Sequence, residues 1–454
     1  MRNLTPEIIA SVTGGKYSGS ADASGCEISF ITTDSRLCGR DCLFAAITGE
    51  HADGHDYIAS AAGQGALCVL SEHGQKAENV NHVLVKSTLS ALCDIAEYYR
   101  AQFELPVVGV IGSVGKTTAK DMIAAVLSQR FNTLKTEGNF NNELGVPLTL
   151  FRLMPEHEAA VIEMGISDFG EMTRLSKMAR PNICLMTAIG HCHLEKLGDL
   201  RGVLRAKSEV FEFMRPDSVA VINGDDELLK SFEPGLRKVM FGLGRHCGVR
   251  AENVESRGII GTDFDIVAEN TGFHVSVPAF GSHIVLSALS AAAVGLTLGL
   301  SSEEITRGLG LFEMSQGRAN IIDTGYIKII DDCYNANPTS VSSALHSLCS
   351  LPGRRVAILG DMLELGNAQL ELHREIGTLA GHCGIDSLIC CGPLSAYICE
   401  GFADFKKTGY HHFAEKGELL SALPSLIEKQ DTVLVKASHG MRFDEIVHEL
   451  QKLK

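Results

Sequence analysis

The chain has 454 residues, 45% of them hydrophobic, and a formal net charge of −15. Its length suits about three domains with buried cores. Its acidity excludes a general affinity for nucleic acid or anionic membrane, while leaving room for a local basic cleft that takes a small anion. The 14 cysteines lack zinc-type pairing: Cys390 and Cys391 are adjacent, and Cys38 and Cys42 have no matching second pair. With no signal peptide to read, reduced thiols and a cytoplasmic location are expected.

Residues 1–100 alternate short strands, at 42–47 and 66–70, with helices at 57–62 and 89–99, which predicts a small N-terminal α/β domain. Gln102 to Pro106 reads as a linker. A central domain is expected over 101–314. It opens with Pro106 to Ile111, an apolar run with the length and branching of a buried strand. Gly112-Ser113-Val114-Gly115-Lys116-Thr117-Thr118 follows. Then Met122, Ile123, Val126, Leu127 and Phe131 recur at helical spacing within 119–131.

Strand, glycine loop, Gly-Lys-Thr and helix form the context of a phosphate-binding loop. Glycines let backbone N–H groups wrap a polyphosphate, and the helix N-terminus adds partial positive charge. Lys116 would reach the β- and γ-phosphates of ATP, and the Thr117 hydroxyl would hold magnesium. Only Ser113 and Val114 separate Gly112 from Gly115, where the usual pattern has four residues. A structural glycine turn is the alternative.

Further apolar runs at 159–163, 183–187 and 218–222 suit strands covered on both faces, hence a mostly parallel, P-loop ATPase-like sheet. Residues 249–277 alternate and carry turn signals, as in an antiparallel extension. Ile284 to Leu300, rich in small residues, suits a helix packed tightly on a sheet better than a membrane span. From 315 to 454 the α/β pattern restarts, with strands at 327–332, 355–359, 387–391 and 432–436. That predicts a C-terminal Rossmann-like domain whose first loop lacks the dinucleotide glycine fingerprint.

Chemistry-bearing residues cluster at strand ends. Glu163 closes an apolar strand, His193 follows the next one, and Lys207 lies on the helix after it. Ligands of open α/β sheets bind at the carboxyl ends of strands, where a carboxylate and an imidazole could hold magnesium. Asn141 and Asn142 lie between glycines, and Asp332, Asn335 and Asn337 follow a later strand. Neutral amides there can meet a phosphate or an amine, or simply build a turn. Arg318, at the joint between the second and third domains, could clamp phosphates on closure.

Taken together these segments resemble the Mur ligases. The resemblance runs through Asp34-Ser35-Arg36, Leu43-Phe44 and Gly49-Glu50-x-x-Asp53-Gly54-His55 in the first domain. It continues through the Gly112–Thr118 loop, Gly138-Asn139-Phe140-Asn141-Asn142, Glu163-x-Gly165, His193-Leu194-Glu195 and Lys207. In the last third it includes Gly317-Arg318, Asp332-x-Tyr334-Asn335-Ala336-Asn337-Pro338, Gly360-Asp361-Met362-x-Glu364-Leu365-Gly366 and His373.

The resemblance implies a three-domain, ATP-dependent carboxylate–amine ligase of peptidoglycan precursor synthesis. Its expected substrates are UDP-N-acetylmuramoyl-tripeptide and D-alanyl-D-alanine, its cofactor magnesium and its state a monomer. By the same resemblance Asp34, Ser35 and Arg36 would bind the UDP end. Residues Gly112 to Thr118, with Arg318 and Asp332, would bind ATP. Thr117, Glu163, His193 and a carbamylated Lys207 would hold magnesium, with Lys116, His193 and Lys207 as catalytic residues. Asn141, Asn142, Asn335 and Asn337 fall in the acceptor or phosphate region. The chain departs from the family at Ile284 and Ser287, where asparagines that contact adenine are usual, and at His439, where arginine is common. Two rivals stay open: a ligase of the same layout adding a single amino acid, and a P-loop ATPase switch.

Overall fold

A computed structural model describes residues 1–49, 52–74, 80–269 and 271–454, with only the backbone of Ser282. Glu50 of the first-domain motif lies outside the described residues. The expected three-domain α/β architecture is present, each domain built on one sheet.

The first sheet runs Lys16–Ser18, His82–Leu84, Cys68–Ser71, Leu43–Ala45, Ile31–Thr32. Among the described residues only the Lys16–Ser18 pairing is antiparallel. Its strands are two to four residues long, shorter than the apolar runs suggested, because residues on either side turn into loops.

Among the described residues the central sheet has nine strands. The order is Thr271–Val277, Thr262–Ala268, Val249–Ser256, Arg237–Gly242, Val219–Asn223, Ile183–Met186, Val107–Ile111, Ala159–Glu163, Thr133–Lys135. From Val249–Ser256 to Thr133–Lys135 every pairing is parallel. The two hairpins at the other edge are antiparallel, as the alternation in 249–277 predicts. Helix Lys116–Leu127 starts three residues earlier than its apolar spacing suggests, because Gly115 at φ +76° is its N-cap. Ser282–Thr297 packs beside it, with Ala288, Ala291 and Ala292 fully buried. Small side chains let the two helices approach over the sheet. Among the described residues no helix is long and apolar enough to cross a membrane.

The third sheet runs Asn320–Asp323, Lys328–Asp331, Thr432–Lys436, Arg355–Gly360, Ser387–Cys391, Tyr410–Phe413, parallel except at its first pair. The central and third domains touch at defined points. Leu194 and Ile259 of the central domain pack on the third domain's core. A side chain at Gly190 would meet the Thr339 hydroxyl at 2.6 Å.

Candidate functional site

Strand Val107–Ile111 is buried along its whole length and delivers the chain to Gly112 at φ +144°. A Cβ at Gly112 would collide with the Thr187 hydroxyl, so the turn needs glycine there. Thr187 donates to the carbonyl of Val114 at 2.5 Å and so pins the loop to the next strand. The helix that follows has no side-chain cap. Its first-turn N–H groups are left for a ligand, with the positive end of the helix dipole behind them. Lys116 folds back to donate to Gly112 O at 2.9 Å. Burial lowers its pKa.

This loop forms one wall of a cavity of about 700 Å³. Residues Ser113 to Thr118, Asn141, Asn142, Glu163 and His193 line it from the central domain, and Arg318, Asp332, Asn335 and Asn337 from the third. Glu163 is buried at the end of its strand. Asn141 Nδ2 donates to its Oε1 at 2.8 Å, whereas Oε2 is buried with no hydrogen-bond partner among the described residues. An orphaned carboxylate oxygen is expensive without a cation. With the Thr117 hydroxyl beside the same loop, the donor set suits a hard divalent ion such as magnesium. Asn142 builds a turn, its Oδ1 accepting from the N–H groups of Leu144 and Gly145.

Lys207 does not line the cavity. It is 1% exposed, close enough to Cys192, His193 and Lys116 for their charges to interact. Among the described residues it has no hydrogen bond or ion pair. Burial lowers its pKa to about 8, so the amine gives up its proton more readily than a solvated lysine does. His193 sits in left-handed backbone at φ +51°, and its Nδ1 lies 2.6 Å from Oε2 of Glu364 of the third domain. Burial, with the nearby lysine charges, lowers the His193 pKa against the pull of Glu364.

On the opposite wall the Arg318 guanidinium lies over the Tyr334 ring, 3.9 Å from its centroid. Asp332 pairs with Lys436 at 2.7 Å, and the same ammonium donates to Asn335 O. Lys436 was not picked out by sequence reasoning, although a lysine closing the apolar run Val433-Leu434-Val435 was the available signal. Asn337 caps helix Pro338–Cys349 by accepting from Ser340 N at 2.9 Å, which is a structural role.

The far end of the cavity lies between helices Ser282–Thr297 and Pro338–Cys349. His283, Leu286, Ser287 and Ser290 line it from one helix, and Ser343 and Ser347 from the other, beside Phe241 and Phe280. Ser287 donates to His283 O at 3.1 Å. Ile284 instead faces the hydrophobic core and is fully buried there, so it contributes nothing to the cavity.

Asp34, Ser35 and Arg36 stand apart from this cavity, on a short 3₁₀ turn of the first domain. Arg36 is exposed and paired with Asp34 at 2.6 Å, and its guanidinium holds the Asp34 pKa down at about 2.

Comparison with known proteins covers almost the whole chain. Residues 27–106 match the Mur ligase family catalytic domain, 110–295 the Mur ligase middle domain and 317–439 the Mur ligase glutamate ligase domain. UDP-N-acetylmuramoyl-tripeptide–D-alanyl-D-alanine ligase of Bacillus subtilis is 38% identical, with 92% of each chain covered. Its Escherichia coli counterpart is 35% identical over 100% of this chain and 99% of that one. The crystal structure of MurF from Acinetobacter baumannii superposes with a TM-score of 0.92 at 31% identity, covering 99% of both chains. MurF of Thermotoga maritima in complex with ADP gives 0.83 at 26% identity, covering 93% of this chain and 97% of that one.

Proposed function

We propose that this chain, which belongs to the Mur ligase family, joins D-alanyl-D-alanine to UDP-N-acetylmuramoyl-tripeptide with ATP as the energy source. The chain is a peptide-bond-forming ligase. The reading is carried by one observation above the rest: a phosphate loop and a buried, unpartnered carboxylate face the third domain across a single cavity. Relatives that carry out this ligation cover the chain end to end, which favours it over a single-amino-acid ligase or an ATPase switch.

A carboxylate is a poor electrophile because oxide would have to leave. Transfer of the γ-phosphoryl group gives an acyl phosphate, from which phosphate leaves when the amine attacks. The products are an amide, ADP and phosphate. Lys116, released from Gly112 O, would stabilise charge on the β- and γ-phosphates. Thr117 and Glu163 would hold one magnesium ion, and His193 and Lys207 a second. Bound there, the ions would offset the repulsion between carboxylate and triphosphate. Lys207 suits this role as a carbamate, formed when its neutral amine adds carbon dioxide and loses a proton. Arg318 and Asp332 would meet phosphate and ribose from the closing side. Asn141 holds Glu163 in place, and Asn335 lies in the loop that Lys436 fastens.

In this division of labour residues 1–100 bind the UDP end through Asp34, Ser35 and Arg36, residues 101–314 bind ATP, and residues 315–454 close with the amine. Closure would keep water from the acyl phosphate. The test is ADP release with UDP-N-acetylmuramoyl-tripeptide, with and without D-alanyl-D-alanine. One ADP and one phosphate per dipeptide joined are expected. AMP as the stoichiometric product, or ADP release indifferent to the dipeptide, would overturn the reading.

A further inference from the structure

His193 and Glu364 meet across the boundary between two domains, and the chemistry of the pair is constrained. A carboxylate with Nδ1 at 2.6 Å must be accepting a proton from it. The remaining lone pair of a neutral imidazole is then on Nε2. Metal-binding histidines are generally held in this way, with a carboxylate or carbonyl on the ring nitrogen that does not face the metal.

Both residues are non-glycine positions in left-handed backbone, at φ +51° for His193 and +62° for Glu364. Such conformations persist only where the surroundings enforce them. On the Glu364 side the enforcement is visible. Met362 N donates to His373 Nε2 and Leu363 N to Ser438 Oγ, each at 2.9 Å. Buried Asp361 accepts from Ser395 N at 2.7 Å. On the His193 side, Leu194 packs into the third domain's core. The backbone of Glu195 comes within 3.4 Å of where a side chain on Gly366 would begin. The two loops are therefore seated on one another.

Glu364 is also the carboxylate to spare. Asp332 is committed to Lys436, and Glu171 accepts from Ser167 N at 2.7 Å. Among the described residues no lysine or arginine pairs with Glu364.

We propose that Glu364 is a positioning residue, delivered by the third domain, that orients His193 as a metal ligand, so that domain closure and metal binding at the reaction centre are coupled. The inference rests on the reading of His193 as a magnesium ligand. Before closure His193 lacks its carboxylate and the second ion is held weakly. After closure the imidazole is fixed with Nε2 available. By linkage, the ion in turn favours the closed arrangement.

The experiment is Mn²⁺ binding, followed by electron paramagnetic resonance, to the full-length chain. UDP-N-acetylmuramoyl-tripeptide and a non-hydrolysable ATP analogue are present. The wild-type chain should bind two ions, and Glu364→Ala should weaken one of them about 10- to 100-fold while leaving the other alone. Glu364→Gln, which keeps an acceptor oxygen, should fall between the two. The KM for D-alanyl-D-alanine at saturating metal should change less than threefold. If His193→Ala loses one ion but a folded Glu364→Ala or Glu364→Gln chain loses none, the coupling is wrong while the metal site stands. If His193→Ala retains both ions, the coupling falls together with the reading beneath it. A raised KM for the dipeptide with unchanged metal affinities would instead make Glu364 a binder of the incoming ammonium, and would also overturn the proposal.

Discussion

Two regions of this molecule are read as handling phosphate, and they are built in opposite ways. In the central domain Lys116 stands half-buried at the mouth of a helix, on a loop that Thr187 ties to the next strand. In the first domain the Arg36 side chain is 86% exposed and paired only with a residue two positions away. The first region is arranged before any ligand arrives, so each group lost there removes interactions that strengthen with charge in the transition state. The second is a solvated pair worth little in itself, whose guanidinium can exchange Asp34 for a diphosphate at small cost. The contrast separates a region that should act on rate from one that should act on affinity.

The largest effect is therefore expected at Lys116. Lys116→Ala should lower kcat on the order of 10³-fold, with an unchanged circular dichroism spectrum because the loop lies on the surface of a covered sheet. An effect confined to the KM for ATP would dissolve the contrast. Next comes Lys207→Ala, with a loss of about 100-fold. High acetate should recover part of the rate by supplying the missing oxygen donors. No recovery by acetate or formate, together with the mass of a bare amine in bicarbonate, would remove the carbamate.

Arg36→Ala should show the other behaviour. One charge-assisted contact is worth about 1.5 kcal/mol or more, roughly tenfold in affinity. The KM for the UDP-linked substrate should rise by about that factor, with the KM for ATP within twofold. Equal rises for both substrates would place Arg36 outside the UDP site.

The same contrast explains what could be read from sequence. The phosphate loop was legible because its geometry is local: a buried strand, glycines and a helix face announce themselves over about twenty residues. The antiparallel hairpins of 249–277 were legible for the same reason. Glu163, His193 and Lys207 could be grouped from sequence by their places around successive strand ends; in the fold Glu163 and His193 line one cavity, while Lys207 stays buried on a helix outside its lining. Asp34 to Arg36 carried no local signal at all, and their assignment came from resemblance. Lys436 was missed, and Glu364 was legible only as part of a family motif with no role of its own, because their partners, Asp332 and His193, lie 104 and 171 positions away. Ile284 reads as an altered base contact in sequence but is a core residue in the fold, since the helix turns it towards the sheet.

The smallest expected effect asks whether the cleft is one unit or two walls. Asp121 is buried on the helix that begins at the phosphate loop. It accepts from Ser315 Oγ at 2.8 Å and pairs with Lys135 at 2.7 Å and Lys120 at 3.4 Å. Ser315 lies three residues before Arg318, on the stretch where the chain passes into the third domain. Gly317 and Ala319 flank Arg318 there in left-handed backbone at φ +70° and +60°. One hydrogen bond thus links the helix that begins at the phosphate loop to the segment that carries Arg318. Ser315→Ala removes it but leaves Asp121 its two lysines, so the remaining charge stays compensated and the fold should hold. The lost bond is worth about 1 kcal/mol, roughly fivefold in an equilibrium. If closure passes through this link, kcat/KM for ATP should fall by up to that factor while the KM for the UDP-linked substrate stays put. If the two walls close independently of it, Ser315→Ala will match wild type in every kinetic constant, and Arg318 must be positioned by Tyr334 alone.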